Sequence, residues 1–342
     1  MKFIVSSLFT LIIFRAHAQS IQLVEQTSGT AQLLIAQHIL DEQTVWASGT
    51  GGTVIFTENG GEQWSIYTHP MDTMQFRDVY GLSSDMAMLL SIGSGKASAI
   101  FKFTRSKNAF ELLYQMDDPN GFLDCMDFWD DKRGVVYGDA IGEQPYILVT
   151  RDGGQTWNFP TGNMPQAGNG EGGFASSGTC VELGGNGQAW IGTGAGGNAR
   201  LLYSGDYGNS WSALVTPMIK GEAAGITSVR FTDDQSGLIV GGDLMNDSTT
   251  QSNYFLTQDG GTNWTSGIDP ITVGAFYCSA FANVNGSNVS IICGPKGADV
   301  IFNNGLTIEN ISDKNLWTAE LLPSGIGWLM GRNGTVIKIG ID

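Results

Sequence analysis

The sequence is poor in the residues on which most catalytic and metal sites depend. The 342 residues include only three His and four Cys, and His17 lies in a segment that we expect to be removed. The chain has no H-E-x-x-H, C-x-x-C, G-x-S-x-G or Walker A motif. These absences exclude the common zinc proteases, thioredoxin-like redox sites and P-loop nucleotide sites, and they leave little scope for a Ser-His-Asp triad.

Basic residues are also scarce. Lys and Arg number 17 against 33 Asp and Glu, which gives a formal net charge of −16. Such a surface repels phosphate groups, so we expect neither nucleic acid nor an anionic membrane as a partner. The acidity is explained most simply by solubility, with an acidic surface for a cationic partner or calcium as the alternative.

Long apolar runs are missing except at the N-terminus. Lys2 precedes an apolar stretch over residues 3–14, and Ala16 and Ala18 form a small-x-small cleavage site. The stretch is shorter than the roughly 20 residues that span a bilayer. We therefore predict a signal peptide over residues 1–18, cleavage near Ala18, and a secreted or periplasmic protein without a membrane span. Residues 19–342 are expected to form a single domain and a monomer.

Glycine is abundant, with 48 residues against nine Pro, and part of it recurs in a repeated octet. The octet is TENGGEQW at 57–64, TRDGGQTW at 150–157, SGDYGNSW at 204–211 and TQDGGTNW at 257–264. Short alternating apolar runs surround each copy, which indicates four antiparallel strands per repeat with the octet as the turn between the third and fourth. Units of about 40 to 50 residues built this way are typical of a β-propeller.

The repeats predict an all-β, seven-bladed β-propeller with four antiparallel strands in each blade. Four blades carry the octet, and residues 104–113 and 302–311 occupy the same turn in two degenerate blades. The seventh blade has only three strands at the C-terminus. The N-terminal run 21–27 is expected to supply its fourth strand and so close the ring, because an open edge strand invites aggregation.

The octets resemble the Asp-box, or BNR, repeat S/T-x-D-x-G-x-x-W of sialidases and other secreted propellers. Three copies match at every defined position, and Asn59 replaces the Asp in the first. The wider run, including GEGGFASSGT at 170–179 and GWLMGRNGTVIKI at 327–339, resembles the photosystem II stability/assembly factor-like propellers of bacteria. These likenesses imply a structural role for the octet residues. The octet positions are Asn59, Trp64, Asp152, Trp157, Asp206, Trp211, Asp259 and Trp264.

No cofactor or metal site is expected. The densest acidic loop, DDPNGFLD at 117–124, could suggest calcium, but it lacks the terminal bidentate Glu of an EF-hand at the required spacing. A solvated turn is the preferred interpretation, and calcium is the alternative.

The four cysteines suggest one disulfide bond. Cys278 and Cys293 flank a predicted hairpin turn at 284–288 and should lie opposite each other on neighbouring strands. Direct opposition brings two Cβ atoms to about 4.5 to 5.5 Å, close to disulfide range, and export exposes them to oxidising conditions. We therefore predict a Cys278–Cys293 disulfide, with Cys125 and Cys180 as small buried apolar residues.

Polar residues are predicted to gather at one mouth of the central channel, where the inner strands begin. They are Glu171, Arg200, Asp124, Asp139, Glu222, Asp243, Lys296 and Arg332. The predicted function is a binding or assembly module that recognises a polar ligand, either a glycan or a protein segment, at this mouth. The alternative is a glycoside-active enzyme, hydrolase or lyase, that uses two of the carboxylates. A third interpretation is that these charges, Glu171 and Arg200 above all, only pair with one another.

Overall fold

A computed structural model of the chain describes residues 20–246, 248 and 253–342. The predicted signal peptide over residues 1–18 lies outside the described residues. The described part consists of seven antiparallel sheets arranged as the blades of a propeller, which confirms the predicted fold class. Its helices are 3₁₀ turns of three residues, so no described helix is long and apolar enough to cross a membrane.

The first three blades follow an N-terminal strand, β1 (Ile21–Thr27). Blade 1 consists of β2 (Leu34–Ile39), β3 (Val45–Gly49), β4 (Thr53–Thr57) and β5 (Ser65–Thr68). Blade 2 consists of β6 (Phe76–Gly81), β7 (Met86–Ser91), β8 (Ala99–Thr104) and β9 (Ala109–Gln115). Blade 3 has β10 (Leu123–Phe128), β11 (Gly134–Ile141) and β12 (Gln144–Thr150).

The remaining blades follow in chain order. Blade 4 consists of β13 (Val181–Leu183), β14 (Ala189–Gly192), β15 (Arg200–Ser204) and β16 (Ser212–Val215). Blade 5 consists of β17 (Ala224–Phe231), β18 (Gly237–Asp243), β19 (Tyr254–Thr257) and β20 (Thr265–Ser266). Blade 6 consists of β21 (Cys278–Val284), β22 (Ser287–Gly294), β23 (Gly297–Phe302) and β24 (Thr307–Ser312). Blade 7 has β25 (Leu316–Leu321), β26 (Ile326–Gly331) and β27 (Thr335–Ile341).

The two chain ends meet in blade 7. Strand β1 pairs antiparallel with β27 over seven residues, from Ile21 opposite Ile341 to Thr27 opposite Thr335. The sheet order is therefore β1-β27-β26-β25, with the N-terminal strand outermost. This pairing covers the backbone edge of β27, which would otherwise be open to pairing with another chain.

Blade 3 departs from the predicted four strands. Its fourth strand is reduced to a single bridge between Val149 and Asn158. Pro160 follows two residues later and has no N–H to donate to a ladder, so pairing cannot continue there.

The four octets form the same turn. In blade 3 the Thr150 hydroxyl donates to Asp152 Oδ1 at 2.9 Å and accepts the Gly154 N–H at 2.9 Å, while Asp152 Oδ1 accepts the Thr156 N–H at 2.9 Å. The same three bonds occur in the octets of blades 1, 4 and 5. The Trp that ends each octet packs against apolar side chains between its own blade and the preceding one.

The disulfide prediction was wrong. The disulfide bond joins Cys125 and Cys180, which lie at the starts of the inner strands of neighbouring blades with a Cα–Cα distance of 6.0 Å. Cys278 and Cys293 are directly opposite each other, as the register prediction required, but both are free and buried. The Cys278 sulfur lies against the next blade, where it accepts the backbone N–H of Ala319 in β25 at 3.2 Å. Cys278 is thus held as an inter-blade acceptor.

Candidate functional site

Glu171 and Arg200, the first pair predicted at the channel mouth, are bonded to each other. Arg200 donates from Nε to Glu171 Oε1 at 2.6 Å and from Nη2 to Oε2 at 2.7 Å. Glu171 also accepts the Thr193 hydroxyl at 2.8 Å and the Gly168 N–H at 2.7 Å, and its side chain is 1% exposed. The pair fixes the loops before β13 and β15, and its direct contact with a ligand stays a prediction.

The other predicted mouth residues separate into two groups. Asp124 and Asp139 line one cavity at the end of the channel where the inner strands begin. Four others do not line that cavity: Glu222, Lys296 and Arg332 are exposed, and Asp243 is half-buried with its carboxylate on the N–H of Met245 at 3.0 Å.

A regular β-bulge near the start of the inner strands explains which side chains reach this cavity. In five blades one inner-strand residue has no partner in the neighbouring strand, so the register shifts by one. The bulged residues are Ile35, Arg77, Asp124, Thr227 and Trp317. A bulge bends the strand and re-aims the side chain that it carries. Three of the five bulged residues, Arg77, Asp124 and Trp317, line the cavity.

This mouth cavity, defined by Arg77, Asp124, Asp139, Phe174, Tyr277 and Trp317, has a volume of about 310 Å³. The Tyr277 and Trp317 rings meet edge to face with their centroids 4.8 Å apart. The Trp317 indole N–H donates to Asn315 Oδ1 at 2.8 Å, which fixes the ring. Trp317 belongs to a residue type that is usually packed in the core, but it is half-buried and forms part of the cavity wall.

Arg77 is held in the cavity and has no carboxylate partner among the described residues. Its Nη1 donates to the Ala175 carbonyl and its Nη2 to Gln75 Oε1, each at 2.9 Å. The guanidinium carbon lies 5.2 Å from the centroid of the Trp317 ring, which is cation–π geometry. The Nε atom is buried and has no hydrogen-bond partner among the described residues. Burial lowers the pKa of Arg77 from its ordinary value.

Asp124 and Asp139 form a pair of carboxyl groups, of which Asp124 is buried and Asp139 is half-buried. Burial raises the pKa of Asp124 well above its ordinary value, and the neighbouring Asp139 raises it further. Burial also raises the pKa of Asp139, whose Oδ1 accepts the Gly173 N–H at 3.2 Å. Asp124 is 1% exposed, and its Oδ2 has no partner among the described residues. A buried polar atom left without a partner costs about 1 to 3 kcal/mol, so it marks a place where a ligand could be stabilising.

The glycines of GEGGFASSGT let the chain pass close to both carboxyl groups. A Cβ atom on Gly172 would lie 1.8 Å from Asp139 Oδ1, and one on Gly173 would lie 2.7 Å from Asp124 Oδ2. A side chain at either position would have to displace a carboxyl group. The Gly-rich sequence is therefore a packing requirement of this wall.

Residues 174–179, which we call the plug, form the floor of the mouth cavity. The Ala175 carbonyl accepts from Arg77 of blade 2, and the Ser176 and Ser177 hydroxyls donate to the Tyr277 carbonyl of blade 6 at 3.2 and 2.7 Å. The plug thus reaches across the channel from blade 4. Its first half lines the mouth cavity, and its second half lines a separate channel cavity of about 220 Å³ below.

Below the plug, a ring of hydrogen bonds joins every blade to the next. At each of the seven interfaces an inner-strand side chain accepts a backbone N–H from the inner strand of the following blade. The seven pairs are His38–Gly81, Asp78–Met126, Asp127–Leu183, Glu182–Phe231, Ser228–Ser279, Cys278–Ala319 and Glu320–Ile39, with distances from 2.7 to 3.5 Å. We call these acceptors the channel ring. The acidic residues of the channel thus have a structural function.

Burial dominates the electrostatics of the channel ring. It raises the pKa of Asp78, raises that of Asp127 to about 7 and that of Glu320 to about 8, and lowers the pKa of His38 to about 4. Arg230 is the cation at the centre of this cluster, and its Nη1 donates to Glu182 Oε2 at 2.7 Å.

The described residues contain no group of three or more His, Cys, Asp or Glu that could hold a metal ion. In the acidic loop at 117–124, Asp118 Oδ1 accepts the Asn120 N–H at 2.8 Å, the geometry of a local turn.

Sequence reasoning found Asp124 and Asp139 but missed Arg77, Phe174 and Tyr277. A usable signal was present, because Asp124 and Tyr277 each stand one residue before a Cys at the equivalent point of an inner strand. Aligning the inner-strand starts of blades 2 and 7 in the same way would have placed Arg77 and Trp317 at positions equivalent to Asp124.

Comparison with known proteins adds evidence on the fold. No protein-family model matches the chain, and no curated protein matches it. Among solved structures, YCF48 from Cyanidioschyzon merolae is 14% identical over 93% of this chain and 98% of its own, with a TM-score of 0.64. A structure of YCF48 bound to D1 peptide is 12% identical over 94% and 95%, with a TM-score of 0.65. Virginiamycin B lyase from Staphylococcus aureus is 10% identical over 94% and 99%, with a TM-score of 0.63. Propellers with different functions thus share this fold.

Proposed function

We propose that this chain is an exported binding propeller that takes up a segment of another protein in the mouth cavity. The observation that carries the proposal is that Arg77 and Asp124 line one cavity with an aromatic wall, and that each has a buried polar atom, Nε and Oδ2, without a hydrogen-bond partner among the described residues. Cavities of this composition, mostly apolar with a few polar groups, are the usual form of a ligand site.

A protein segment is a better match to this cavity than a glycan. Two of the wall aromatics, Tyr277 and Trp317, meet edge to face, so they do not form a flat platform for a sugar ring. The volume of about 310 Å³ suits one or two amino-acid side chains, with the rest of a segment lying across the mouth. A propeller of similar fold has been solved with a bound peptide, which supports this choice of ligand class.

Export and the Asp-box assignment belong to the same proposal. The N-terminal apolar stretch with its cleavage site favours export. The Cys125–Cys180 disulfide supports it, because such bonds persist in oxidising compartments. The identical hydrogen bonds in the four octets support the assignment of these turns to the Asp-box class.

The test is a peptide-display selection on purified residues 19–342, run beside a glycan array. We expect peptides to be selected and their binding to be lost in Trp317→Ala. Phe159→Ala is the matched control, because Phe159 is 45% exposed on blade 3 and does not line the cavity. The proposal is overturned if only glycans bind, if no peptide is selected, or if the selected peptides bind Trp317→Ala as tightly as the parent.

A glycoside-active enzyme is the second candidate, favoured by one observation. Asp124 and Asp139 are neighbouring carboxyl groups in one cavity, and Asp124 has the raised pKa that a general acid requires. A screen of glycoside substrates tests it: turnover that is abolished in both Asp124→Asn and Asp139→Asn supports catalysis. Turnover that persists in either variant, or no turnover at all, excludes this pair.

A further inference from the structure

The proposed peptide-binding function leaves open which side chain enters the mouth cavity, and the inference that follows rests on that function. We infer that the cavity accepts a basic side chain, Lys or Arg, of the bound segment, placed between the aromatic wall and the carboxyl groups of Asp124 and Asp139.

The two carboxyl groups have unused acceptor capacity. One backbone N–H, that of Gly173, serves both groups, at 3.2 Å from Asp139 Oδ1. A single carboxylate can accept about four hydrogen bonds. In the channel ring, by contrast, Asp78 alone accepts two backbone N–H groups, from Val79 at 2.8 Å and from Met126 at 2.7 Å. An ammonium or guanidinium group brings three to five donors and can satisfy Asp124 Oδ2 and Asp139 together.

Charge balance favours a cation over an anion. The charged residues that line the mouth cavity are Arg77, Asp124 and Asp139. With both carboxyl groups ionised they sum to one negative charge, and a basic side chain brings that sum to zero. An acidic side chain would add a negative charge beside the buried carboxyl group of Asp124 and the half-buried one of Asp139. The formal net charge of −16 also attracts a cationic segment and repels an acidic one.

The cavity wall already accommodates a cation. The Arg77 guanidinium lies over the Trp317 ring, and the Phe174 and Tyr277 rings line the same space. Aromatic rings attract cations through their negative faces, and the effect strengthens where water is excluded. A Lys or Arg stem can cover these rings while its charged end reaches the carboxyl groups.

Binding of a cation is expected to release a proton. Burial and the Asp139 carboxylate keep the pKa of Asp124 raised, and a cation between the two groups favours the ionised form. The other titratable groups nearby are Arg77 and the Tyr277 hydroxyl in the cavity, the buried Tyr137 hydroxyl, and Glu171, which is paired with Arg200. Affinity for a basic side chain should therefore rise with pH until Asp124 is ionised in the free protein.

The experiment compares tripeptides Ala-X-Ala, blocked at both ends, with Lys, norleucine or Glu at X. Binding is followed by NMR on ¹⁵N-labelled residues 19–342, with the Trp317 indole resonance assigned by its loss in Trp317→Phe. We expect the Lys probe to bind at least about tenfold tighter than the norleucine and Glu probes. The preference should fall in Asp124→Asn and Asp139→Asn and stay unchanged in Asp131→Asn, an exposed position at the opposite end of β10.

The outcomes separate this inference from the proposed function. If norleucine or Glu probes shift the Trp317 resonance as strongly as the Lys probe, the cavity binds peptides without selecting a basic side chain, and the inference fails alone. If the Lys preference survives in both Asp variants, the carboxyl groups are not its source, and the inference is also wrong. If no probe and no displayed peptide binds, both proposals fall.

Discussion

The inner strands carry two tiers of polar side chains, a few residues apart along the chain. One tier is the channel ring, and the other lines the mouth cavity. In the channel ring each acceptor takes a backbone N–H from the next blade, as Asp127 does from Leu183 and Glu320 from Ile39. In the mouth cavity, the Asp124 Oδ2 and Arg77 Nε atoms are also buried but have no hydrogen-bond partner among the described residues. Both tiers contain buried polar atoms, and the two tiers differ in whether the next blade supplies a partner for them.

This difference decides how the buried charges of the molecule are interpreted. A raised carboxyl pKa occurs in both tiers, so it does not by itself mark a ligand site. The ring acceptors are explained by the fold, because an unpaired inner-strand N–H would be costly at each interface. The mouth groups are bonded only in part, because Asp124 Oδ2 and Arg77 Nε have no hydrogen-bond partner among the described residues. These two atoms are the ones that a bound ligand could satisfy.

The largest effect is expected from removing a ring acceptor. Asp78→Ala leaves the buried N–H groups of Val79 and Met126 without an acceptor. Each such group costs about 1 to 3 kcal/mol, so the unfolding free energy should fall by about 3 kcal/mol. Asp78→Asn retains one acceptor oxygen and should lose less. Urea unfolding measures both variants, and a loss below about 0.5 kcal/mol in Asp78→Ala would contradict the structural role of the ring.

A pH-dependent effect should follow from Glu320. Burial raises the pKa of Glu320 to about 8 in the folded protein. At pH values between the pKa of the unfolded chain and about 8, Glu320 is therefore protonated in the folded protein and ionised in the unfolded chain. Its contribution to stability is full below about pH 4 and is lost as pH rises to about 8. The unfolding free energy of the parent relative to Glu320→Gln should therefore fall by about 2 kcal/mol between about pH 6 and pH 8.

The comparison with Glu320→Gln is needed because Cys278 acts in the opposite direction. Burial raises the pKa of the Cys278 thiol, but its contact with Cys293, the nearby Arg230 and the Ala319 N–H outweigh burial and lower the pKa to about 6. That group adds stability as pH rises, and it is present in both proteins. A difference between parent and variant that stays flat or rises over this range would show that Glu320 is ionised in the folded protein.

Much of the fold was predictable because the octets set a period. Residues 150–157 and their copies mark where the third strand of each blade ends. Blade 7 is left with three strands at the C-terminus, which predicts that residues 21–27 supply its fourth strand. The disulfide was missed because Cys125 and Cys180 were compared by position within a blade and not across the interface between adjacent blades.

The mouth cavity was only half predictable. Strand reasoning assumes that side chains alternate between two faces, and a bulge breaks that alternation at one residue. Arg77 and Trp317 are such residues, so their orientation could not be inferred from the pattern. Asp124 was predicted from its place at the start of an inner strand, and the same register was not extended to Arg77 at the start of the inner strand of blade 2.

A smaller effect is expected in the octets, which lie far from both tiers. Asp152 accepts the Thr156 N–H and hydroxyl and the Thr150 hydroxyl, as a side-chain cap does at a helix start. Asp152→Ala should lower the unfolding free energy by about 1 kcal/mol. Binding of any mouth-cavity peptide should be unchanged in the folded protein. Loss of that binding without a change in melting temperature would show that the octets have a functional role and are not only turns.

The smallest effect on stability is expected at Asp124, and it gives the sharpest test of the difference between the tiers. An Asn side chain has the size of Asp and no charge, and burial, which raises the pKa of Asp124, likewise favours the uncharged form of that carboxyl group. Among the described residues, no ring bond depends on Asp124, and its Oδ2 has no hydrogen-bond partner. Asp124→Asn should therefore change the unfolding free energy by less than about 0.5 kcal/mol, within the range of ordinary surface substitutions. Asp131→Asn serves as the matched control on the opposite face, and urea unfolding at pH 7 measures both. A loss at Asp124 as large as that in Asp78→Asn would place it among the structural acceptors and remove the main evidence that the cavity binds a ligand.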